Sequence, residues 1–104
     1  MLSNLDGHVA FITGASRGIG RACAVAYAEQ GCDLGLAARS PGDLEQTASM
    51  CREHGAETVT IETDVAQRDD VHAAIDHCAE RLGGVNILVN NAGVAHHEAV
   101  DHAD

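Results

Sequence analysis

The 104-residue sequence predicts an α/β fold in which helices cover both faces of a parallel sheet, an arrangement called doubly wound. Short apolar runs alternate with amphipathic stretches from Val9 onward, and a glycine-rich turn joins the first run to the first amphipathic stretch. No repeat or low-complexity linker interrupts this order. Strict alternation of this kind favours parallel strands with right-handed crossovers. We expect a single domain over residues 1–104, because a chain of this length supports one apolar core.

The first strand is predicted at His8 to Thr13, where a nearly continuous apolar run is typical of a strand buried on both faces. After the glycine-rich turn, the first helix is predicted from Gly18 to Gln30, with Gly31 as its C-terminal stop. Helical spacing predicts that its apolar stripe comprises Ile19, Cys23, Ala26 and Tyr27.

The second strand is predicted at Asp33 to Ala38, followed by a second helix with three start signals. Ser40 is expected to cap this helix, Pro41 to occupy its first turn, and Asp43 to close a capping box. The face of the helix that is expected to be buried comprises Leu44, Ala48 and Cys51.

The last predicted elements are two strands with a helix between them. The third strand is expected at Thr58 to Ile61, with Asp64-Val65 as its exit, and the helix that follows ends at Gly83-Gly84. The fourth strand is expected at Val85 to Asn90, and an exit loop at Asn91 to Asp104. One face of the helix carries Val71, Ile75, Cys78 and Leu82.

Charge and composition exclude several classes of protein. The chain has six arginines, no lysine and sixteen acidic residues, so its formal net charge is −10. Repulsion from nucleic acid and from anionic lipid argues against both as partners. The apolar runs are too short to span a bilayer, and the N-terminus does not resemble a signal peptide. We therefore expect a cytoplasmic protein.

The cysteines and histidines do not predict a metal site. The cysteines form no C-x-x-C pair, and Cys23, Cys51 and Cys78 are expected to be buried, unpaired thiols. His96, His97 and His102 match no zinc spacing, so we expect solvated or substrate-loop histidines.

The glycine-rich turn, Thr13 to Gly20, predicts a dinucleotide site because it lies between a buried strand and an amphipathic helix. Gly14 permits the sharp turn, Gly18 allows the backbone to approach a pyrophosphate, and Gly20 allows close packing of helix on strand. The helix N–H groups then face the phosphates. The alternative is a turn with no ligand. The candidate binding residues here are Gly14, Ser16, Arg17, Gly18, Ile19 and Gly20.

The spacing G-x-x-x-G-x-G excludes a Walker-type triphosphatase, whose lysine this chain lacks, and resembles that of the short-chain dehydrogenase/reductase family. Further matches are Leu5-Asp6-Gly7, Asp64-Val65 and Asn90-Asn91-Ala92-Gly93. The resemblance covers essentially the whole chain, and the 3-oxoacyl-carrier-protein reductase branch is one match. It implies the N-terminal part of a Rossmann-like fold, incomplete here, with strands in the order three, two, one, four.

The resemblance also implies roles for residues after the third and fourth strands. Asp64 would accept a hydrogen bond from the adenine amino group, and the Val65 N–H would reach a ring nitrogen. Asn90 would be structural, and the residues that line the ribose and nicotinamide would be Asn91, Ala92 and Gly93. From the residues alone, Asp64 is also a candidate helix N-cap, and Asn90-Asn91 a candidate tight turn.

Cofactor choice depends on the end of the second strand. NAD-dependent proteins generally place an acid there, about twenty residues after the turn, where this chain has Ala38. Arg39 and Arg17 can offer paired donors to the 2′-phosphate of NADP. We therefore expect NADP in preference to NAD, with a solvated surface role for Arg39 as the alternative.

The catalytic residues that the resemblance implies, a serine, a Tyr-x-x-x-Lys pair and an asparagine, are expected beyond the Asn-Asn-Ala-Gly turn. The sole tyrosine, Tyr27, has no lysine partner. We expect the chain to be the inactive cofactor-binding half of an oxidoreductase that transfers hydride between nicotinamide and a small carbonyl or secondary alcohol. The resemblance implies a homo-oligomer for the complete protein.

Two other functions remain open at this point. A non-catalytic NADP-binding or regulatory module would need no active site. A methyltransferase shares the strand-turn-helix arrangement, but it explains neither Asn90 to Gly93 nor Arg39.

Overall fold

The computed structural model describes residues 5–91, which contain strands and helices in strict alternation. The strands are β1 (Val9–Thr13), β2 (Asp33–Ala38), β3 (Thr58–Glu62) and β4 (Ile87–Val89). The helices are α1 (Gly18–Glu29), α2 (Pro41–Arg52) and α3 (Arg68–Leu82). All paired strands are parallel, and their order is β3-β2-β1-β4. The predicted α/β class and strand order are confirmed.

Alternate residues of the strands pack on opposite faces of the sheet, as a doubly wound fold requires. On one face, Ile12, Leu34 and Leu36 form a core with α1 and α2. On the other, Phe11 and Ala37 pack with α3. Every residue of β1 is buried, so the prediction from its apolar run is confirmed.

The predicted apolar stripe of α1 is correct for Cys23 and Tyr27, which are partly buried against the core, but wrong for Ile19 and Ala26. Ile19 is 67% exposed and Ala26 is exposed, whereas the buried positions are Gly20, Ala24 and Ala28, each four residues from the next. Small side chains at this spacing let the helix backbone approach the sheet closely. Gly31 follows the helix with φ of 96°, so the predicted C-terminal stop is confirmed.

The starts of α1 and α2 were predicted correctly in position, but the capping bonds predicted for α2 and the N-cap candidate of α3 were not correct. Ser40 is the N-cap residue of α2 and Pro41 begins the helix, yet the Ser40 hydroxyl makes no capping hydrogen bond, so the capping box is wrong. The N-cap residue of α3 is Gln67 rather than Asp64. Asp64 instead accepts a hydrogen bond from the Ala66 N–H at 3.0 Å, which is a local turn.

The fourth strand is shorter than the predicted Val85 to Asn90. The Val9 N–H donates to Asn86 Oδ1 at 2.8 Å, and the Thr13 hydroxyl donates to Asn90 Oδ1 at 3.1 Å. At the start of this region a side-chain amide oxygen thus accepts from the β1 backbone, at its end the contact is between side chains, and the strand itself is Ile87–Val89.

The cysteines are free thiols, with Cys51 and Cys78 fully buried and Cys23 partly buried. Burial raises the pKa of Cys51 to about 11, although the positive charge of Arg52 opposes the shift. Burial alone raises the pKa of Cys78 to about 11. Both thiols therefore stay protonated at pH values at which a cysteine of the unfolded chain ionises.

No helix within residues 5–91 is long and apolar enough to cross a membrane.

The raised thiol pKa values give a stability prediction at alkaline pH. Between about pH 9 and 11 the unfolded chain loses thiol protons that the folded chain keeps, so the free energy of unfolding falls as pH rises. Thermal melts from pH 8 to pH 11 measure this fall. In the double variant Cys51→Ala, Cys78→Ala the melting temperature should decline less steeply than in the parent. Equal slopes would contradict the burial of these thiols as neutral groups.

Candidate functional site

The glycine-rich turn begins where β1 ends and relies on backbone conformations that other residues rarely adopt. Gly14 has φ of 64° and Gly18 has φ of 62°, both in the left-handed region. Gly20 lies so close to the turn that a Cβ atom there would overlap the Gly14 carbonyl oxygen. The sharp turn predicted at Gly14 and the close packing predicted at Gly20 are therefore present.

The N-terminus of α1 is open to an anion. Its N-cap residue, Arg17, makes no side-chain capping bond, and the first turn carries no acidic residue. By contrast, α2 has Asp43 in its first turn, and α3 has two aspartates there. The first-turn N–H groups of a helix have no partner within the helix, and the helix dipole makes this end positive. Among the helices of residues 5–91, α1 therefore has the N-terminus best suited to a phosphate group.

A cleft of about 460 Å³ lies beside this helix end. It brings together the glycine-rich turn, the end of β2 and the exit of β3, and its walls are formed by Gly14, Ser16, Arg17, Ala38, Arg39, Ser40 and Val65. Arg17 and Arg39 are both exposed, and neither guanidinium has an ion pair within residues 5–91. The cleft thus offers two uncompensated positive charges and no acidic side chain.

Other predicted site residues lie outside the cleft walls. The exposed side chain of Ile19 and the partly buried side chain of Asp64 do not line it. Asn91 lies on the other side of the turn, with Nδ2 3.5 Å from the Gly14 carbonyl oxygen. Ala92 and Gly93 lie outside the described residues, as do His96, His97 and His102.

Thr13 joins the glycine-rich turn to the exit of β4. Its buried hydroxyl accepts a hydrogen bond from the Asn91 N–H at 2.9 Å and donates to Asn90 Oδ1. The two asparagines are therefore held at the same sheet edge as Gly14. This agrees with the structural role that the family resemblance implies for Asn90.

The sequence-based interpretation missed Arg21 and Thr47. Arg21 Nη2 donates to the Ser16 carbonyl oxygen at 2.6 Å, and Arg21 Nε donates to Thr47 Oγ1 at 2.8 Å. Thr47 Oγ1 in turn donates to the Ala15 carbonyl oxygen at 2.8 Å. The one available signal was Thr47 itself, a polar residue beside Ala48 on the buried face of α2.

The profile of the family described as short chain dehydrogenase matches residues 8–104. The chain belongs to this family. Among the relatives of the chain is General stress protein 39 of Bacillus subtilis, with 40% identity over 88% of the chain and 32% of the relative. The chain thus spans about a third of the length of the curated relatives it matches.

Solved structures of the family agree with the Rossmann-like fold of the chain. Carveol dehydrogenase from Mycobacterium avium, in complex with NAD, is 33% identical with a TM-score of 0.82, covering 86% of this chain and 37% of that one. A short chain dehydrogenase from Mycobacterium paratuberculosis, bound to NAD, is also 33% identical, with a TM-score of 0.80 and coverage of 86% and 38%.

The Gly20 contact predicts a large loss of stability when a methyl group is added. In Gly20→Ala the new Cβ meets backbone atoms that cannot rotate away, so the free energy of unfolding should fall by about 3 kcal/mol or more. Gly42→Ala is the matched control, because a Cβ there has no atom within 4 Å and α2 gains a better helix former. Urea unfolding measures both changes. Equal effects of the two substitutions would show that α1 does not approach the turn this closely.

Proposed function

We propose that this chain forms the dinucleotide-binding part of an NADP-dependent oxidoreductase of the short chain dehydrogenase type. The observation that carries the proposal is the pair of arginines, Arg17 and Arg39, which lie on the walls of one cleft and have no ion pair within residues 5–91. Between them β2 ends in uncharged Ala38, where an acid would hold the ribose hydroxyls of NAD. A 2′-phosphate would meet two cations and no carboxylate in this place.

The residues around the turn fit a dinucleotide. A Cβ at Gly18 would meet no atom within 4 Å, so the backbone there is open to a pyrophosphate. The uncapped N-terminus of α1 provides N–H donors for it. One carboxylate oxygen of Asp64 is used in the local turn, which leaves the other as the proposed acceptor for the adenine amino group. Val65 lines the same cleft and is proposed to contact the adenine ring.

Family membership does not decide between the two cofactors. The two dehydrogenase structures from Mycobacterium contain NAD. The preference for NADP proposed here rests on the local charges of this chain alone. Arginine supplies planar, permanently charged donors that match the geometry of a phosphate, and a carboxylate at the end of β2 would repel the same group.

The reaction proposed for the full-length protein is hydride transfer between nicotinamide and a small carbonyl compound or secondary alcohol. These 104 residues contain no lysine, and Tyr27 is partly buried in α1 against the core. We therefore assign no catalytic residue within them and propose that alone they bind cofactor without turning over a substrate. We also propose a cytoplasmic homo-oligomer without nucleic-acid or membrane partners. NADP binding by a full-length protein without turnover of any carbonyl compound would instead favour a non-catalytic module.

Removal of Arg39 should discriminate between the cofactors. In the full-length protein, Arg39→Ala should raise the dissociation constant for NADP about tenfold to a hundredfold, because a charge-assisted hydrogen bond contributes about 1.5–3 kcal/mol. The constant for NAD, which has no 2′-phosphate, should change little. Isothermal titration with both cofactors measures the two constants.

The control for Arg39 is Arg81→Ala. Arg81 is an exposed arginine in the last turn of α3, beside the start of β3 and away from the cleft. The substitution Arg81→Ala removes the same charge but should leave both dissociation constants within about twofold of the parent values, since distant exposed charges are screened by salt. If Arg39→Ala weakens the binding of both cofactors equally, or the binding of neither, the NADP assignment is wrong.

A carboxylate at the end of β2 should shift preference toward NAD. Ala38→Asp adds repulsion of the 2′-phosphate and an acceptor for the ribose hydroxyls, so the ratio of the NAD constant to the NADP constant should fall by about tenfold or more. Ala38→Asn adds similar bulk without the charge and is the matched control. Competition binding of the two cofactors measures the ratio. A ratio unchanged by aspartate would contradict the placement of the 2′-phosphate.

A further inference from the structure

Arg21 connects the two walls of the cleft without lining it. On the glycine-rich side its Nη2 donates to the Ser16 carbonyl oxygen at 2.6 Å. On the α2 side the same nitrogen donates to the Asp43 carbonyl oxygen at 3.1 Å. Ser16 is a wall residue next to Arg17, and Asp43 lies in the first turn of α2, the helix that follows Ser40. One guanidinium therefore links the glycine-rich turn that carries Arg17 to the first turn of α2, which follows Arg39 in sequence.

Thr47 completes this bridge from inside the protein. Its side chain is fully buried, and its hydroxyl accepts from Arg21 Nε and donates to the Ala15 carbonyl oxygen, both at 2.8 Å. The Ala15 N–H in turn donates to the Ala37 carbonyl oxygen on β2 at 3.3 Å. A single hydroxyl thus fixes both the arginine and the backbone of the glycine-rich turn. Without it, a buried carbonyl and a guanidinium N–H would lose their partner.

We propose that Arg21 and Thr47 are positioning residues that set the distance between the Arg17 wall and the Arg39 wall, and through it the affinity for NADP. This inference rests on the proposed function of the cleft. Arg21 acts through the carbonyl groups of Ser16 and Asp43, and Thr47 acts through Ala15 and Arg21. Neither side chain is assigned a contact with the cofactor.

The geometry of arginine is what this role requires. The guanidinium is planar and presents donors in several directions at fixed angles, so it can hold two backbone carbonyls and a hydroxyl at once. A lysine ammonium has the same charge, but this charge is on one nitrogen at the end of a flexible side chain. Arg21 donates to four acceptors, and all of them are neutral. They are the two backbone carbonyls, the Thr47 hydroxyl and the Gln46 amide oxygen. The bonds therefore do not serve to neutralise a buried carboxylate.

Positioning and simple bracing of the fold predict different binding results. If Arg21 and Thr47 only brace the fold, their loss lowers the melting temperature, and the variant protein that remains folded binds both cofactors as before. If they are positioning residues, their loss changes the dissociation constants of the folded protein. The change should be larger for NADP, because the 2′-phosphate needs both walls at the correct distance, whereas the pyrophosphate that both cofactors share needs the glycine-rich turn alone.

The experiment compares four variants of the full-length protein by titration with NADP and with NAD, well below the melting temperature of each variant. Thr47→Val removes the hydroxyl at constant shape and charge, and Arg21→Met removes the guanidinium at similar length. Each should raise the NADP constant about tenfold and the NAD constant less, as expected for loss of hydrogen bonds that hold a binding geometry. Thr47→Ser should retain most of the affinity. Arg21→Lys should resemble Arg21→Met.

Val59→Ala controls for stability, because Val59 is a buried residue of β3 outside the cleft walls. It should lower the melting temperature and leave both constants unchanged. Parent-like constants in Thr47→Val and Arg21→Met would overturn the inference, and so would equal losses for both cofactors. Full affinity in Arg21→Lys would show that charge, not geometry, is what Arg21 provides.

The same titrations separate this inference from the proposed function. A parent protein that prefers NADP and loses that preference in Arg39→Ala, but not in the Arg21 and Thr47 variants, retains the proposed function and overturns the positioning role alone. A parent protein that binds neither cofactor overturns both.

Discussion

The approach of α1 to the glycine-rich turn is the constraint on which the site depends. The helix backbone at Gly20 contacts the Gly14 carbonyl and lies near the Asn91 side chain, in a space that excludes even one methyl group. Ala24 and Ala28 continue the same narrow face along the sheet. This contact places the open N-terminus of α1 at the carboxyl end of β1. Because the small residues allow α1 to begin beside the end of β1, the cleft lies at the carboxyl end of that strand.

Polar side chains then hold together connections that have no ladder bonds of their own. Thr13 ties the exit of β4 to the end of β1, and Arg21 with Thr47 ties the glycine-rich turn to α2. Each hydrogen bond contributes only about 1 kcal/mol net, but an unpaired buried carbonyl or hydroxyl would cost more. Since the partners are far apart in sequence, these bonds join segments that are not neighbours along the chain.

The strand order was implied by the family resemblance, whereas the α/β class and the location of the glycine-rich turn could be predicted from local patterns, namely continuous apolar runs and glycines at a fixed spacing. The buried face of α1 could not, because hydrophobic periodicity favours large residues such as Ile19, whereas close approach selects glycine and alanine. The length of β4 and the bridge from Arg21 to Thr47 depend on bonds between residues 77 and 26 positions apart. No single stretch of sequence carries such information. Of the Asp64-Val65 motif only Val65 lines the cleft, and Asp64 uses one carboxylate oxygen in a bond within its own turn.

The overall charge of the chain shows why local geometry has to decide cofactor binding. A net charge of −10 opposes the approach of any polyphosphate from a distance. At physiological ionic strength, however, interactions between exposed charges fade beyond about 8 Å. What remains at the cleft is the effect of groups within a few ångströms, and there Arg17 and Arg39 have no competing carboxylate on the walls. Attraction at such short range changes steeply with distance, so a displacement of either wall would cost more affinity than a distant change in net charge. In the proposed function, the hydrogen bonds that keep the two walls in place therefore contribute to cofactor recognition together with the charges.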